Sequence, residues 1–252
     1  MRTSGLIFSG FLMGRGLKAV FFDFDNTLVD SASVLPYAQR RVAGEIARFL
    51  NGSVDVDMVF GTVKYVERVL EMQGLYDRDR IWMHVLWELG FDGRVDDGLL
   101  RSWSLAYWEE FMKGEVFPET VEVLERLSKH YSLGVVTNTD GLYGMKRMRM
   151  EKKGLNRFFK VIVVAGEDIP ETKPSPRPFL LAAEMIDVKP SECVMVGDDP
   201  VNDVAGAKGA GMTAVLLDRS GGKACPVKPD HVIKSLNQLL DLLPIWEGGQ
   251  SF

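Results

Sequence analysis

The sequence predicts an α/β fold in which a parallel β-sheet is flanked by helices and a separate helical unit is inserted after the first strand. Two observations predict it. From residue 17 onward, short apolar runs alternate with longer amphipathic segments, as expected for parallel strands joined by crossover helices. Between the first two runs, residues 31–113 contain no convincing strand and show helical spacing of apolar residues nearly throughout. This stretch is too long for one crossover connection.

The predicted strands share a composition. Each is a short, β-branched and apolar run that can be covered on both faces, which is typical of strands inside a parallel sheet. The runs span residues 17–23, 132–137, 161–165, 193–197 and 213–217. Gly, Asn, Asp or Thr follows most of these runs. Polar groups are therefore expected to collect at one edge of the sheet.

The inserted stretch carries several groups of apolar residues at helical spacing, which predict about four helices packed as their own small bundle. We interpret this bundle as a cap over the sheet edge. The predicted organisation is an N-terminal extension at residues 1–16, a core with the parallel sheet built from 17–30 and 113–243, a helical cap at 31–112 and a C-terminal tail at 244–252.

Composition and charge exclude several classes of partner. The 252-residue chain has a formal net charge of -5 and no block of Lys and Arg, so binding to nucleic acid or to anionic membranes is not expected. No apolar run approaches the roughly 20 residues that cross a bilayer. The first 13 residues lack the small-residue cleavage site of a signal peptide, and two cysteines are too few for a disulfide framework. These observations predict a cytoplasmic protein, either a monomer or a homodimer.

The strongest chemical signal is a pair of carboxylates at the end of the first predicted strand. Asp23 and Asp25 are two residues apart, which on a continuing strand points both side chains to the same side. In open parallel sheets, ligands bind beyond the carboxyl ends of the strands. The pair lies where a ligand site is expected, although acidic residues at a strand end are also common as turn residues and helix caps.

Three further polar groups follow predicted strands in the same way. Thr137 and Asn138 offer a hydroxyl and a loop amide after the second strand. Lys173 offers a cation in a loop that two prolines stiffen. Asp198 and Asp203 form a second acidic group after the fourth strand. Each group is weak evidence by itself, but together they form a constellation at one sheet edge.

The order of these residues along the chain resembles that of the four motifs of the haloacid dehalogenase superfamily, and the match covers roughly residues 17–243. The corresponding residues are Asp23 with Asp25, Thr137, Lys173, and Asp198 with Asp203. The similarity is to the phosphatase branch, whose helical cap is inserted between the first and second motifs. It implies a Rossmann-like, three-layer core with a mobile cap, and it does not name the substrate.

The resemblance implies Mg²⁺-dependent hydrolysis of a phosphate ester. Asp23 would be the nucleophile, and Asp25 would be first the general acid and then the general base. Asp25 must then hold a proton part of the time near neutral pH. Mg²⁺ would bind Asp23, the main-chain carbonyl of Asp25, and Asp198 through hard oxygens. Asp203 would orient these ligands from outside.

The same resemblance implies how phosphate is held. Thr137, the main-chain amide of Asn138, and Lys173 would surround the transferring phosphoryl oxygens. The expected partner is a small phosphorylated metabolite, such as a sugar, triose or nucleoside phosphate, because a helical lid limits substrate size and excludes bulk water.

Two alternative functions stay open. A phosphomutase of the same family would return the phosphoryl group to another hydroxyl, and labelled phosphate in an isomeric ester would identify it. A phosphorylated switch protein also combines an acidic pair, Thr and Lys after parallel strands, but in another order and without an inserted cap. Cleavage of carbon–halogen bonds is not expected, because that reaction needs neither an acid at Asp25 nor a metal ligand at Asp198.

Overall fold

The structure is a computed structural model that describes residues 16–243. Apart from Gly16, the predicted N-terminal extension lies outside the described residues, and so does the predicted tail. Within residues 16–243, no helix is long and apolar enough to cross a membrane.

A six-stranded parallel sheet forms the centre of the core. In chain order, the strands described are β1 (Ala19–Phe22), β2 (Val29–Asp30), β3 (Glu115–Val116), β4 (Ser132–Asn138), β5 (Val161–Ala165), β6 (Cys193–Gly197), β7 (Thr213–Leu217) and β8 (His231–Ile233). The order across the sheet is β5-β4-β1-β6-β7-β8. The chain therefore winds one way from β1 to β5 and the other way from β6 to β8, which makes the carboxyl end of β1 a topological switch point.

Helices cover the sheet and build the cap. They are α1 (Leu35–Phe49), α2 (Val56–Met72), α3 (Arg78–Glu88), α4 (Asp97–Phe111), α5 (Thr120–Leu127), α6 (Met145–Lys152), α7 (Arg177–Met185), α8 (Gly206–Gly209) and α9 (Gln238–Leu242).

Strand β1 shows why the core has three layers. Its side chains alternate, so that Val20 and Phe22 join one hydrophobic cluster while Ala19 and Phe21 join another on the opposite face. Residues of α5 and α9 pack in the first cluster, and residues of α7 pack in the second. The predicted α/β class with a buried parallel sheet is confirmed.

The cap is a bundle of α1 to α4 with its own hydrophobic cluster. Aspartates cap the amino ends of three of its helices through side-chain hydrogen bonds to main-chain amides: Asp55 for α2, Asp77 for α3 and Asp96 for α4. The short antiparallel pair of β2 and β3 lies where the chain leaves the core and where it returns. The paired strands β2 and β3 thus connect the cap to the core next to the carboxyl end of β1.

Candidate active site

Asp23 directly follows β1, which lies between β4 and β6 in the sheet. Its amide donates to the carbonyl of Val196 in β6 at 2.9 Å, which continues the sheet pairing by one residue. The Asp23 side chain is buried. Its Oδ1 accepts a hydrogen bond of 2.7 Å from Lys173 Nζ.

Lys173 joins three parts of the chain. Besides Asp23, its Nζ donates to Asp203 Oδ1 at 2.6 Å and to the carbonyl of Val136 at 3.1 Å. Burial by itself lowers the pKa of this ammonium, but Asp203 and Asp23 outweigh burial and raise the pKa well above its ordinary value. Lys173 therefore keeps its charge, and it ties the third predicted motif to the first and the fourth.

Asn138, the last residue of β4, and the loop that carries Lys173 are joined by paired polar contacts. Lys173 N donates to Asn138 Oδ1 at 2.8 Å, and Asn138 Nδ2 donates to the carbonyl of Lys173 at 3.4 Å. Asn138 Nδ2 also donates to the hydroxyl of Tyr76 in the cap at 2.7 Å. Thr137, the preceding residue of β4, is buried and lines the same cleft.

Three carboxylates converge beside Lys173. Asp23, Asp198 and Asp203 each offer an oxygen within 4.8 Å of the other two. Burial raises the pKa of Asp198 to about 6, and the nearby Asp23 adds to this, while Lys223 opposes it from 2.9 Å. Burial also raises the pKa of Asp203 despite its contact with Lys173. Such crowding favours an added cation.

The donor set fits a divalent metal ion with hard oxygen ligands. Asp203 already accepts a hydrogen bond on each oxygen, from Lys173 on Oδ1 and from the amide of Asp199 on Oδ2. Gly197 permits this close placement, because a Cβ there would lie 2.2 Å from Asp203 Oδ2. Asp23 and Asp198 are therefore the carboxylates placed to bind a metal directly, and Asp203 is placed to support them.

Asp25 has different neighbours from Asp23. Its carboxylate accepts hydrogen bonds from Ser31, from Lys146 at 2.5 Å and from Arg149. Lys146 and Arg149 also pair with Asp140, at 2.5 Å and 3.0 Å. Burial raises the pKa of Asp25, but Arg149 and Lys146 outweigh it and hold this pKa far below its ordinary value.

The expectation that Asp25 holds a proton near neutral pH is wrong for this conformation. It assumed acidic neighbours, whereas the nearest charged groups are two buried cations on α6. Half of the residues of this helix, Met145–Lys152, are basic, a composition usually read as an exposed surface. The available signal was Lys146 and Arg149 at a spacing of three, which places both on one helix face.

A cleft of about 1030 Å³ lies between the core and the cap. All seven residues predicted for the site line it: Asp23, Asp25, Thr137, Asn138, Lys173, Asp198 and Asp203. The opposite wall comes from the cap and is also polar. Its lining includes Gln39, Glu67, Glu71, Tyr76, Arg78, Tyr107 and Trp108. None of these cap residues was among the predicted site residues.

Comparison with known proteins gives a consistent result. The sequence model of haloacid dehalogenase-like hydrolases matches residues 17–211. The chain is 30% identical to N-acylneuraminate-9-phosphatase of Rattus norvegicus, over 90% of this chain and 94% of that protein. It is 29% identical to glyceraldehyde 3-phosphate phosphatase of Methanopyrus kandleri, over 90% and 97%. It is 31% identical to phosphoglycolate phosphatase of Neisseria meningitidis, over 90% and 94%.

Two solved structures are similar over nearly the whole described chain. A HAD phosphatase from Thermococcus onnurineus has a TM-score of 0.66 and 29% identity, covering 91% of this chain and 99% of its own. A 2-haloacid dehalogenase from Pseudomonas syringae has a TM-score of 0.68 and 28% identity, covering 90% and 97%. The two neighbours bear names of different reactions, so the choice between these reactions depends on the residues of this site.

Proposed function

Because the chain belongs to the haloacid dehalogenase-like hydrolase family, we propose that it is a Mg²⁺-dependent phosphatase that forms a covalent phosphate on Asp23. The observation that carries this proposal is the convergence of Asp23, Asp198 and Asp203 beside Lys173. Such a site suits a doubly charged phosphate only if a cation lies between the negative groups.

The residues present determine how the metal would be held. When bound by Asp23, the main-chain carbonyl of Asp25 and Asp198, Mg²⁺ would offset the charge of the phosphate and align it with the nucleophile. Asp203 would keep Lys173 and the main chain after β6 in place.

The first chemical step belongs to Asp23. One carboxylate oxygen attacks phosphorus, the bond from phosphorus to the ester oxygen breaks, and the leaving oxygen takes the proton of the protonated Asp25 carboxyl group, which becomes a carboxylate. Lys173 holds Asp23 in position. The hydroxyl of Thr137 and the main-chain amide of Asn138 bind phosphoryl oxygens as their charge is redistributed.

The second step returns Asp23 to its starting state. Water attacks phosphorus and gives a proton to Asp25, so that inorganic phosphate leaves and the Asp23 carboxylate is restored. Asp25 is ionised while it contacts Lys146 and Arg149, which suits a base. It can donate a proton to the leaving group only after its carboxylate has moved away from these two cations.

The acidic character of the site favours phosphate over a haloacid. A halide ion leaves without a proton, so dehalogenation makes no use of an acid at Asp25. The carboxylates of Asp23, Asp198 and Asp203 suit a divalent cation, which dehalogenation does not need. A phosphate ester uses both the acid and the metal site. The expected substrates are small phosphorylated metabolites, the class to which the names of the three similar phosphatases point.

Hydrolysis of p-nitrophenyl phosphate tests the proposal directly. We expect turnover with Mg²⁺, loss of turnover in EDTA, and recovery when Mg²⁺ is restored. The variant Asp23→Asn should lose at least about 10³-fold in kcat, because it removes the nucleophile. Acid quenching during turnover should trap a phosphate on a peptide containing Asp23, seen by mass spectrometry. Equal rates with and without chelator, or a folded Asp23→Asn variant with near-native turnover, would contradict the assignment.

A further inference from the structure

A buried polar network lies in the cap wall of the cleft. It joins α1, α2, α3 and α4 through hydrogen bonds between side chains, and we name it the Arg78 network. Its members are Gln39, Glu67, Glu71, Arg78 and Tyr107. All five line the cleft, and all except Glu71 are buried.

Glu67 is the centre of the network. One of its oxygens accepts hydrogen bonds from Arg78 and, at 2.9 Å, from Tyr107, and the other accepts from Gln39 at 2.5 Å. Glu71 lies one helical turn later on α2 and accepts from Arg78 at 2.8 Å. Its side chain stays 34% exposed. Glu71 is therefore the member with a carboxylate still open to the cleft.

The net charge of this wall does not attract a second anionic group on the substrate besides its phosphate. Arg78 is the one cation of the network and contacts two carboxylates, so the network carries a net charge of -1. Burying Glu67 and Arg78 adds little net stability compared with an apolar pair of similar volume. A stabilising role alone does not explain why they line the cleft. The cations Lys64 and Arg68 also line it, but both are exposed, where water screens their charge.

The hydrogen-bonding capacity of the wall matches hydroxyl groups. Glu71 offers acceptor oxygens to the cleft, whereas the donors Arg78 Nε and Trp108 Nε1 have no acceptor within residues 16–243 and are fully buried. A hydroxyl can donate to the Glu71 carboxylate. A carboxylate can only accept, and it would be placed against Glu71 at the cost of repulsion.

The network lies close to the phosphate end of the cleft. Tyr76, two residues before Arg78, contacts Asn138, which holds the Lys173 loop. A leaving group attached to a phosphate at Asp23 therefore extends into the cleft that the Arg78 network lines.

We propose that the Arg78 network selects leaving groups by their hydroxyl groups and disfavours leaving groups that carry a carboxylate, so that the preferred substrates are phosphate esters of polyols and sugars. This inference depends on the proposed phosphatase function. It narrows the expected substrates from small phosphorylated metabolites in general, the class to which the relatives' names point, to phosphate esters of polyols and sugars.

A matched pair of substrates tests it. Glycerol 3-phosphate and 3-phosphoglycerate differ only in that a hydroxymethyl group is replaced by a carboxylate. We expect kcat/KM of the wild-type protein to be about tenfold higher or more for glycerol 3-phosphate, measured by phosphate release at saturating Mg²⁺. This ratio needs no variant, so it decides the question even where a variant fails to fold.

The variant Glu71→Gln assigns the preference to the network. It keeps the size of the side chain but removes its charge, and we expect the ratio to fall to about threefold or less, chiefly through a lower KM for 3-phosphoglycerate. Glu109→Gln is the matched control, because Glu109 is an exposed glutamate of α4 that does not line the cleft. It should keep the wild-type ratio, and thermal melting checks that both variants fold.

The outcomes separate this inference from the proposed function. If the protein hydrolyses p-nitrophenyl phosphate but prefers 3-phosphoglycerate, or if Glu71→Gln keeps the full wild-type ratio, the substrate class assigned here is wrong and the phosphatase function stands. If no phosphate ester is hydrolysed with Mg²⁺, the phosphatase proposal itself fails.

Discussion

Two carboxylates separated by one residue, Asp23 and Asp25, lie in clusters of opposite electrostatic character. The Asp23 cluster contains three carboxylates and one buried ammonium, from Asp23, Asp198, Asp203 and Lys173. The Asp25 cluster contains two carboxylates and two buried cations, from Asp25, Asp140, Lys146 and Arg149. The first has a deficit of positive charge, and the second is balanced.

This difference indicates where a metal ion fits. The Asp23 cluster has a formal charge of -2, because one ammonium faces three carboxylates. Lys223, which contacts Asp198 from the rim, reduces this deficit to -1. A divalent cation more than compensates for it and leaves attraction for a phosphate. The Asp25 cluster needs no added ion. Its two cations, Lys146 and Arg149, hold Asp25, the residue proposed as general acid and base, in place.

The largest expected effect tests whether the Asp25 cluster is a balanced, buried unit. Replacing Arg149 by Met leaves Asp25 and Asp140 with Lys146 alone, and we expect a loss of about 3–5 kcal/mol in the free energy of unfolding, measured with urea. Arg149 is buried and also packs 4.6 Å from the ring of Phe111 in the cap.

Arg147→Met is the control on the same helix. The Arg147 side chain is 37% exposed while it pairs with Glu167 and Asp168, so its loss should change stability by about 1 kcal/mol or less. Equal losses for the two variants would show that the buried ion pairs of Arg149 contribute no more to the free energy of unfolding than the partly exposed ion pairs of Arg147.

The next effect tests the charge deficit of the Asp23 cluster through pH. Asp198 has a pKa raised to about 6 in the metal-free protein, and a metal ligand must be ionised. Below pH 6, a proton on Asp198 competes with Mg²⁺, so the affinity should fall by about tenfold or more per pH unit. Burial raises the pKa of the neighbouring Asp203 to about 7, so the affinity should approach a constant value only by about pH 8. Asp25 adds no step in this range, because its pKa lies far below it.

Isothermal titration of Mg²⁺ between pH 5 and pH 8 measures this dependence. Asp198→Asn should abolish both the affinity and its pH step. Asp199→Asn is the adjacent control, since Asp199 caps the turn after β6 through the amides of Val201 and Asn202 and is not placed as a ligand. A pH-independent affinity, or an unchanged profile in Asp198→Asn, would remove Asp198 from the metal site.

The two clusters also differ in how far the sequence predicts them. Every member of the Asp23 cluster follows a strand or lies in a loop with prolines, and parallel strands bring their carboxyl ends to one edge. Their convergence could therefore be expected from the order of elements alone. The fold was predictable for the same reason, since five of the six sheet strands are apolar runs.

The parts that were not predicted lack such a pattern. Strand β8 has three residues, of which Val232 is exposed, so no apolar run marks it. Lys146 and Arg149 lie on a helix with basic residues at four of its eight positions, a sequence that does not tell which face is buried. The Arg78 network depends on α2, α3 and α4 packing together, and such contacts between helices have no local signature. The protonation state of Asp25 was misjudged because it is set by those distant cations.

The smallest expected effect concerns the contact of the cap with the Asp25 cluster. Gly141, next to Asp140, has a φ of +80°, and a Cβ there would lie 1.8 Å from the carbonyl oxygen of Tyr76 in the cap. Gly144 has a φ of +78°, yet a Cβ there meets nothing within 4 Å. Both positions need a residue that tolerates a positive φ, but only at Gly141 would a side chain collide with the cap.

Alanine at either position should lower stability by about 1–2 kcal/mol, because an L-residue is strained in the left-handed region. Only Gly141→Ala should also keep the cap from closing fully, which we expect to reduce kcat/KM by roughly fivefold, equivalent to about 1 kcal/mol. If Gly144→Ala lowers kcat/KM as much, backbone strain explains the loss. If neither variant lowers it, the close contact of Tyr76 with Gly141 is not needed for turnover, and the Asp25 cluster works without the cap seated on it.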